Sequence, residues 1–400
     1  MKLTSDLPHW AVQNGLIRSY PALDRDLTCE CVIVGAGITG AMLADRFCRD
    51  GIETVVLDSR DICTGSTSAS TALLQYEIDV PLIDLCKLIG QQNAQRAYQI
   101  SHNSIDQIQE LVQSLEVDVG FRRNTSIYLA ADRKAALDLA AEARARKSIG
   151  LDVTYHDQAE VRELFGLPGS AALSSRQAAS CDPYRLAHAL LFLATAQGCR
   201  IFDRTRVEEF VGEPNRITLR TVRGQTVTAR FAVIANGYES QDMLREKIVD
   251  LDNTYAIVSE PLEDLSPWHE DWILWEAKTP YLYIRTTSDR RLLVGGEDDR
   301  FHSPRKRDAS LGIKAKRIEA KFRKLLPDLE WEPAYAWAGT FGKTKDGLAY
   351  IGSSAEYPGC YFALGFGGNG ITFSAVATEI IPNLAKQIPV SDAELFRFGR

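Results

Sequence analysis

The stretch that decides the fold is Cys31-Val32-Ile33-Val34-Gly35-Ala36-Gly37-Ile38-Thr39-Gly40. Its four leading apolar residues suit a strand buried on both faces, as in the centre of a parallel sheet. A Gly-x-Gly-x-x-Gly turn follows at once and opens onto a helical pattern from Ala41 to Arg49, with Met42, Leu43 and Phe47 on the buried side. Gly51 ends that helix as its C-cap. A second apolar run, Thr54–Leu57, stops at Asp58, eighteen residues beyond Gly40. Strand, glycine turn, helix, strand and acid in this order form a dinucleotide-binding unit. Gly35 permits the tight turn, Gly37 lets a pyrophosphate approach the backbone, and Gly40 lets the helix close on the strand. The amides at Ile38 and Thr39 open the helix, whose positive dipole end faces the phosphates. Asp58 can accept from two ribose hydroxyls. By itself the turn does not separate NAD from FAD.

Working outward, segments of the same α/β type recur in the middle and at the end of the chain. Helical spacing covers 93–115 and 133–147, with a strand-like alternation at 125–129 between them. Pro183–Gln197 is predicted as a helix with Asp182 as N-cap and Pro183 at its first position. Phe231–Ala235 is a buried strand stopped by Asn236-Gly237, and strand-like segments cluster between Thr254 and Val294. Residues 313–326 form a basic amphipathic helix. Tyr361–Leu364, a glycine turn and a helix over 372–386 repeat the logic of the opening. The predicted fold class is α/β: a discontinuous Rossmann-like nucleotide domain with an inserted, mainly antiparallel-sheet substrate domain. The expected division is 28–79 with 181–240 and 337–388 for the first, and 80–180 with 241–336 for the second.

The chain has 400 residues, 45% of them hydrophobic and 25% charged, with a net charge of −7. That balance suits a globular protein and gives no reason to expect nucleic acid or an anionic membrane as partner. No run approaches the ~20 apolar residues of a membrane span. The opening residues lack the apolar core of a signal peptide, and the eight cysteines are scattered, so a cytoplasmic protein with reduced thiols and no metal site is expected. Cys29-Glu30-Cys31 reads as cysteines entering a buried strand. Arg305-Lys306-Arg307 reads as a solvated loop, and Lys314 to Lys324 as a solvated helix face.

Other motifs carry a resemblance across nearly the whole chain, from about Trp10 to Lys386. The lead-in Trp10…Tyr20-Pro21-Ala22-Leu23, the turn Val32–Gly40 and the strand end Asp58-Ser59-Arg60 are three of them. Gly65-Ser66-Thr67-Ser68-Ala69-Ser70-Thr71, Asp182–Leu186, Thr205-Arg206-Val207 and Ala235-Asn236-Gly237 follow. The last are Trp337-Ala338-Gly339…Thr344-Lys345-Asp346-Gly347 and Gly365-Phe366-Gly367-Gly368-Asn369-Gly370-Ile371. Together they resemble the FAD-dependent family of D-amino-acid oxidase, glycine oxidase and sarcosine oxidase, and its γ-glutamylputrescine oxidase branch above all. The resemblance implies FAD held by Gly35, Gly37, Ile38, Thr39, Gly40, Asp58, Ser59 and Arg60. It extends the cofactor site to Gly65, Ser66, Thr67, Ser70, Thr71, Val207, Ala235, Asn236 and Gly237, and finally to Gly339, Gly368, Asn369, Gly370 and Ile371. In the last turn a helix N-terminus would face the negative charge of reduced flavin.

Departures from the family pattern narrow the substrate. The arginine that holds an amino-acid carboxylate is missing from Gly339-Thr340-Phe341-Gly342-Lys343, where Lys343 is a poorer bidentate partner and Phe341 an apolar wall. Gly339 stands near the position of a flavin-linking cysteine, so noncovalent FAD is expected. Leu293 stands near that of an oxygen-activating lysine, which leaves oxygen or another electron acceptor open. Along Tyr281-Leu282-Tyr283-Ile284-Arg285, strand alternation places Tyr281, Tyr283 and Arg285 on one face. Tyr283 and Arg285 are the leading candidates for positioning substrate, with Trp275 and Glu276 just before them. None of the six histidines falls in a flavin motif; His102 and His188 read as helix-surface or core residues. The expected activity is oxidation of the C–N bond of a small-molecule amine or N-substituted amino acid by hydride transfer to flavin N5, followed by imine hydrolysis. A 2-hydroxy-acid or polyol-phosphate dehydrogenase on the same fold is the alternative, since Gly65–Gln75 also resembles the flavin loop of glycerol-3-phosphate dehydrogenase. A non-catalytic flavoprotein, or a subunit of a larger dehydrogenase, is the alternative of another class. The sequence sets no oligomeric state.

Overall fold

The apolar run becomes the strand Leu27–Val34, buried from Cys31 onward, with a parallel neighbour on each side. These are described by a computed structural model covering all residues except Met1, Asp6, Pro214, Lys278 and Thr279. Thr54–Leu57 pairs on one side and Thr226–Ile234 on the other, so that Val34 sits between Leu57 and Ile234. Arg200–Phe202 extends the sheet beyond Thr54–Leu57, and Cys360–Leu364 then Tyr350–Ser353 extend it beyond Thr226–Ile234. A hairpin, Val207–Glu213 and Arg216–Thr221, adds antiparallel strands to the edge of Thr226–Ile234. Helices Pro183–Ala196, Ile38–Arg49, Gly370–Ala385 and Gln91–Gln113 pack in that order, each against the next, beside this sheet. Their apolar faces form the largest core, which includes Ile33, Phe47, Leu190 and Ile381. Asp182 caps its helix by accepting from the N–H groups of Tyr184 and Arg185, both at 2.9 Å.

A second, nine-stranded sheet runs Pro333–Lys343, Asp250–Ser259, Leu292–Arg300, Leu282–Thr286, Trp272–Glu276, Arg122–Ala130, Ala171–Ser180, Leu73–Gln75, with Thr154–Asp157 on Ala171–Ser180. It is antiparallel except where Trp272–Glu276 meets Arg122–Ala130. Pro304–Leu325 packs on one face and buries Ile318 and Phe322 against Ile257, Val294 and Trp331. The other face turns toward the first sheet.

Two strands depart from the expected division of the chain. Leu73–Gln75 lies in the second sheet, because it pairs with Ala178–Ser180. Pro333–Lys343 crosses residue 337 without a break, held by continuous pairing that sets Ala256 against Trp337 and Thr254 against Gly339. The basic run at 305–307 is also no loop. Ser303 accepts from Lys306 N at 3.3 Å and starts the helix there, with Pro304 in the first turn. Arg307 is buried and donates to Lys2 O and Thr340 Oγ1. All eight cysteines are free, and burial pushes the Cys29 thiol up to about 12. No helix among the described residues is long and apolar enough to cross a membrane.

Candidate active site

One cavity of about 1,070 Å³ runs from the ends of the parallel strands to the inner face of the second sheet. That is at the top of the ~300–1,000 Å³ range of ligand sites, room for something larger than a simple metabolite. Of the residues expected to hold the cofactor, all but Gly40 line it.

The glycine turn shows why. Gly35 has φ of +111°, and a Cβ there would stand 2.4 Å from Ala235 O. Gly37 has an ordinary φ but faces the cavity, with a Cβ position 2.9 Å from Thr67 Oγ1. That oxygen accepts the Ile38 N–H at 2.9 Å and so ties the helix start to the Gly65–Thr71 loop. A Cβ on Gly40 would fall 1.8 Å from Gly35 O, so this glycine serves the closure of helix on strand from beneath. Asp58 accepts from Ala36 N at 2.8 Å and Arg60 N at 2.9 Å. Burial raises its carboxyl above the usual range, opposed by these two amides. Arg60 reaches Glu239 at 3.1 Å, and Val207 and Glu208 line the far end.

The loop after Gly65 is pegged through three successive carbonyls. Trp337 Nε1 donates to Ala69 O at 3.0 Å, Trp10 Nε1 to Ser70 O at 2.7 Å, and Arg285 Nε to Thr71 O at 2.6 Å. Arg285 also donates to Cys181 O at 2.9 Å and lies over the Trp10 ring at 5.0 Å. It is buried outside the cavity, and desolvation lowers its pKa to about 10. Its neighbour on the same strand face, Tyr283, does line the cavity. Alternation correctly places both on one face, but only Tyr283 lies where the cavity reaches.

At the last turn Gly367 has φ of +58°, and Gly368 N donates to Asp79 Oδ2 at 3.0 Å. Asn369 Nδ2 donates to Gln75 O and Glu77 O at 3.1 and 2.9 Å. Helix Gly370–Ala385 begins here, and its first-turn amides have no intrahelical acceptor. The buried Asn369 Oδ1, Gln75 Nε2 and Ser66 Oγ on the wall have no protein partner. Open backbone at Gly37, Gly339 and Gly370, a helix start at each end and these polar atoms fit a flavin dinucleotide. Asp58 would hold its ribose, the Ile38 helix start its pyrophosphate, and the 367–371 turn its ring.

Beyond the cradle the wall is aromatic and acidic. Tyr283 OH bonds Thr254 Oγ1 at 3.0 Å, and its ring lies on Gly295, where any Cβ would stand 2.2 Å from it. Burial raises the Tyr283 phenol well above its ordinary value. Tyr281 OH donates to Asp298 Oδ2 at 2.5 Å. Trp275 stacks on Tyr128 with centroids 3.7 Å apart. Glu276 Oε2 accepts from Leu282 N at 2.9 Å. Phe341 and Lys343 line the same end, with Lys343 Nζ 2.6 Å from Asp252 Oδ2. None of the six histidines lines the cavity. Burial holds His188 down to about 4.

Glu77, Asp79 and Tyr128 are among the wall residues that sequence reasoning passed over. A signal existed for two of them. Gln75, Glu77 and Asp79 alternate with Tyr76 and Ile78, and the first three line the cavity while the other two are buried.

The family model described as FAD dependent oxidoreductase matches residues 30–383. The γ-glutamylputrescine oxidoreductase of Escherichia coli is 23% identical over 399 residues, covering 97% of this chain and 90% of that protein. The glycine oxidase of Bacillus subtilis is 26% identical over 385 residues, covering 92% and 96%. The crystal structure of glycine oxidase from Geobacillus kaustophilus shares the fold with a TM-score of 0.77 at 21% identity, over 94% of this chain and 99% of that one.

Proposed function

This chain belongs to the family of FAD-dependent oxidoreductases, and from that premise we propose that it oxidises the C–N bond of a small amine or N-substituted amino acid. Noncovalently bound FAD would supply the two-electron acceptor, taking a hydride at N5 from the carbon beside the nitrogen. The resulting imine then hydrolyses to a carbonyl compound. One observation carries the reading: the dinucleotide cradle opens without a wall into a pocket of aromatic rings and carboxylates. Tyr283, fixed through Thr254, orients the substrate over the ring site. The aromatic wall excludes water from the reacting carbon.

The choice of amine over alcohol rests on the groups present. A phosphate or hydroxy acid needs cations, and Lys343 is already on Asp252. Noncovalent attachment is supported by the position of Cys63, the cysteine on the cavity wall. It lies at the cradle end beside Ala36 O, and burial raises its thiol well above its ordinary value. Acid precipitation should therefore release all the flavin to the supernatant. The activity test is anaerobic absorbance of the FAD-loaded protein near the ~450 nm flavin band against panels of amines, N-alkyl amino acids, hydroxy acids and glycerol phosphate. Amines should bleach it. Bleaching by hydroxy acids or glycerol phosphate alone would overturn the proposal.

A further inference from the structure

The substrate end of the cavity carries more negative charge than its own cations balance. Glu77 lines the wall and is 6% exposed, and its Oε2 has no hydrogen-bond partner. Its Oε1 accepts from Ser126 Oγ at 3.1 Å and lies 3.6 Å from an Arg146 nitrogen. That arginine is already bonded to Glu142, Nε to Oε1 at 2.8 Å, so one guanidinium faces two carboxylates. Desolvation raises the Glu77 carboxyl above its usual range despite Arg146. Asp79, two residues on, opens on the same space. Lys343, the described lining cation at this end, is matched by Asp252 at 2.6 Å. Arg285 lies outside, its donors on carbonyls. Sharing the wall with these carboxylates are the stacked pair Tyr128–Trp275 and the phenols of Tyr281 and Tyr283.

Aromatic faces attract alkylammonium groups through the ring quadrupole, and a buried carboxylate gains most from an opposite charge brought next to it. A carboxylate guest would meet like charge here. We propose that this end of the cavity holds a cationic group of the substrate other than the nitrogen that is oxidised, anchored by Glu77 and Asp79 against the aromatic wall. The reacting nitrogen must be neutral for its neighbouring carbon to release hydride, so the charge recognised is a second one. The substrate class is then a diamine, or an amine bearing a quaternary ammonium, and not an amino acid gripped by its carboxylate. This rests on the amine-oxidation reading above.

The test is calorimetric titration of the FAD-loaded protein with tetramethylammonium chloride, which has no nitrogen lone pair and reads binding without turnover. Acetate and tert-butanol are the anionic and neutral counterparts. Tetramethylammonium should bind saturably while the other two do not. Glu77→Gln and Asp79→Asn, isosteric amides, should each weaken it by about tenfold or more when parent and variants are compared fully loaded with FAD. Acetate binding more tightly than tetramethylammonium on the parent protein would overturn the proposal. So would cation affinity within about twofold of the parent in both variants. If amines fail to bleach the flavin while the cation binds as described, the oxidation reading fails and the cation site stands. If amines bleach it but diamines have no kcat/KM advantage over monoamines of equal length, the cation site falls alone.

Discussion

Gly37 and Gly40 sit in one motif but should fail in different ways when each becomes alanine. The Cβ of Gly40→Ala would stand 1.8 Å from Gly35 O, about 1.2 Å inside the 3.0 Å below which real Cβ contacts essentially do not occur. The obstacle is backbone, with the strand Leu27–Val34 behind it and the helix Ile38–Arg49 above, so no side chain can swing away. Overpacking of this kind costs ~1–3 kcal/mol, and the depth of this overlap puts it at the upper end. The Cβ of Gly37→Ala meets a side-chain oxygen, Thr67 Oγ1, at 2.9 Å from ordinary backbone, so the fold can absorb it by a small shift. It projects into the cavity, where the pyrophosphate would lie. Thermal unfolding of flavin-free and flavin-saturated protein separates the two. Gly40→Ala should lower both midpoints by roughly 5 °C or more, taking ~2–4 °C per kcal/mol for a large domain. Gly37→Ala should leave the flavin-free midpoint within about 2 °C of the parent and abolish the rise on adding FAD, because stabilisation by a ligand follows its affinity. Equal loss of flavin-free stability in both variants, or a Gly40→Ala protein as stable as the parent, would refute this division of labour.

Arg285→Lys keeps a charge but loses the planar fork that serves Thr71 O and Cys181 O together. It should cost ~2–3 kcal/mol in urea unfolding and reduce flavin content, with little change in KM for enzyme that retains flavin. Tyr283→Phe removes one hydrogen bond, to Thr254 Oγ1. Stability should fall by no more than ~1 kcal/mol, while steady-state kcat/KM for the amine changes several-fold. Glu77→Gln should show itself in the pH dependence of unfolding. A carboxyl raised by burial binds its proton more tightly folded than unfolded, so it makes the parent lose stability as pH climbs from the ordinary carboxylate range toward the raised value. The variant lacks that loss, so the stability difference should shift in its favour from about pH 4 to pH 8. A difference independent of pH would show that Glu77 titrates as it does in the unfolded chain.

The dinucleotide half was legible because its signals are local. Three glycines, an acid and the two apolar runs around them sit within 28 residues, Cys31 to Asp58, and each answers to strand–turn–helix geometry that the chain carries in itself. The recurrence of that geometry at both ends is what led the spacing to predict two interleaved domains. The strands at the seam were less so. Leu73–Gln75 is too short to announce which sheet it joins, and that choice is made by Ala178–Ser180, a hundred residues away.

The substrate end belongs to the tertiary structure. Glu77 and Asp79, Tyr128, Trp275 with Tyr283, and Lys343 come from four distant segments, and none carries a motif. Alternation tells which face of a strand a side chain shares but not how far along that face a cavity extends. Tyr283 and Arg285 therefore looked equivalent in sequence, until Trp10 and the carbonyls of Thr71 and Cys181 enclosed the arginine and left the tyrosine open. Local backbone chemistry determined how this chain can hold a dinucleotide. Packing between strands remote in sequence decided what can sit beside it, because the charge and shape of a cavity are properties of its whole wall.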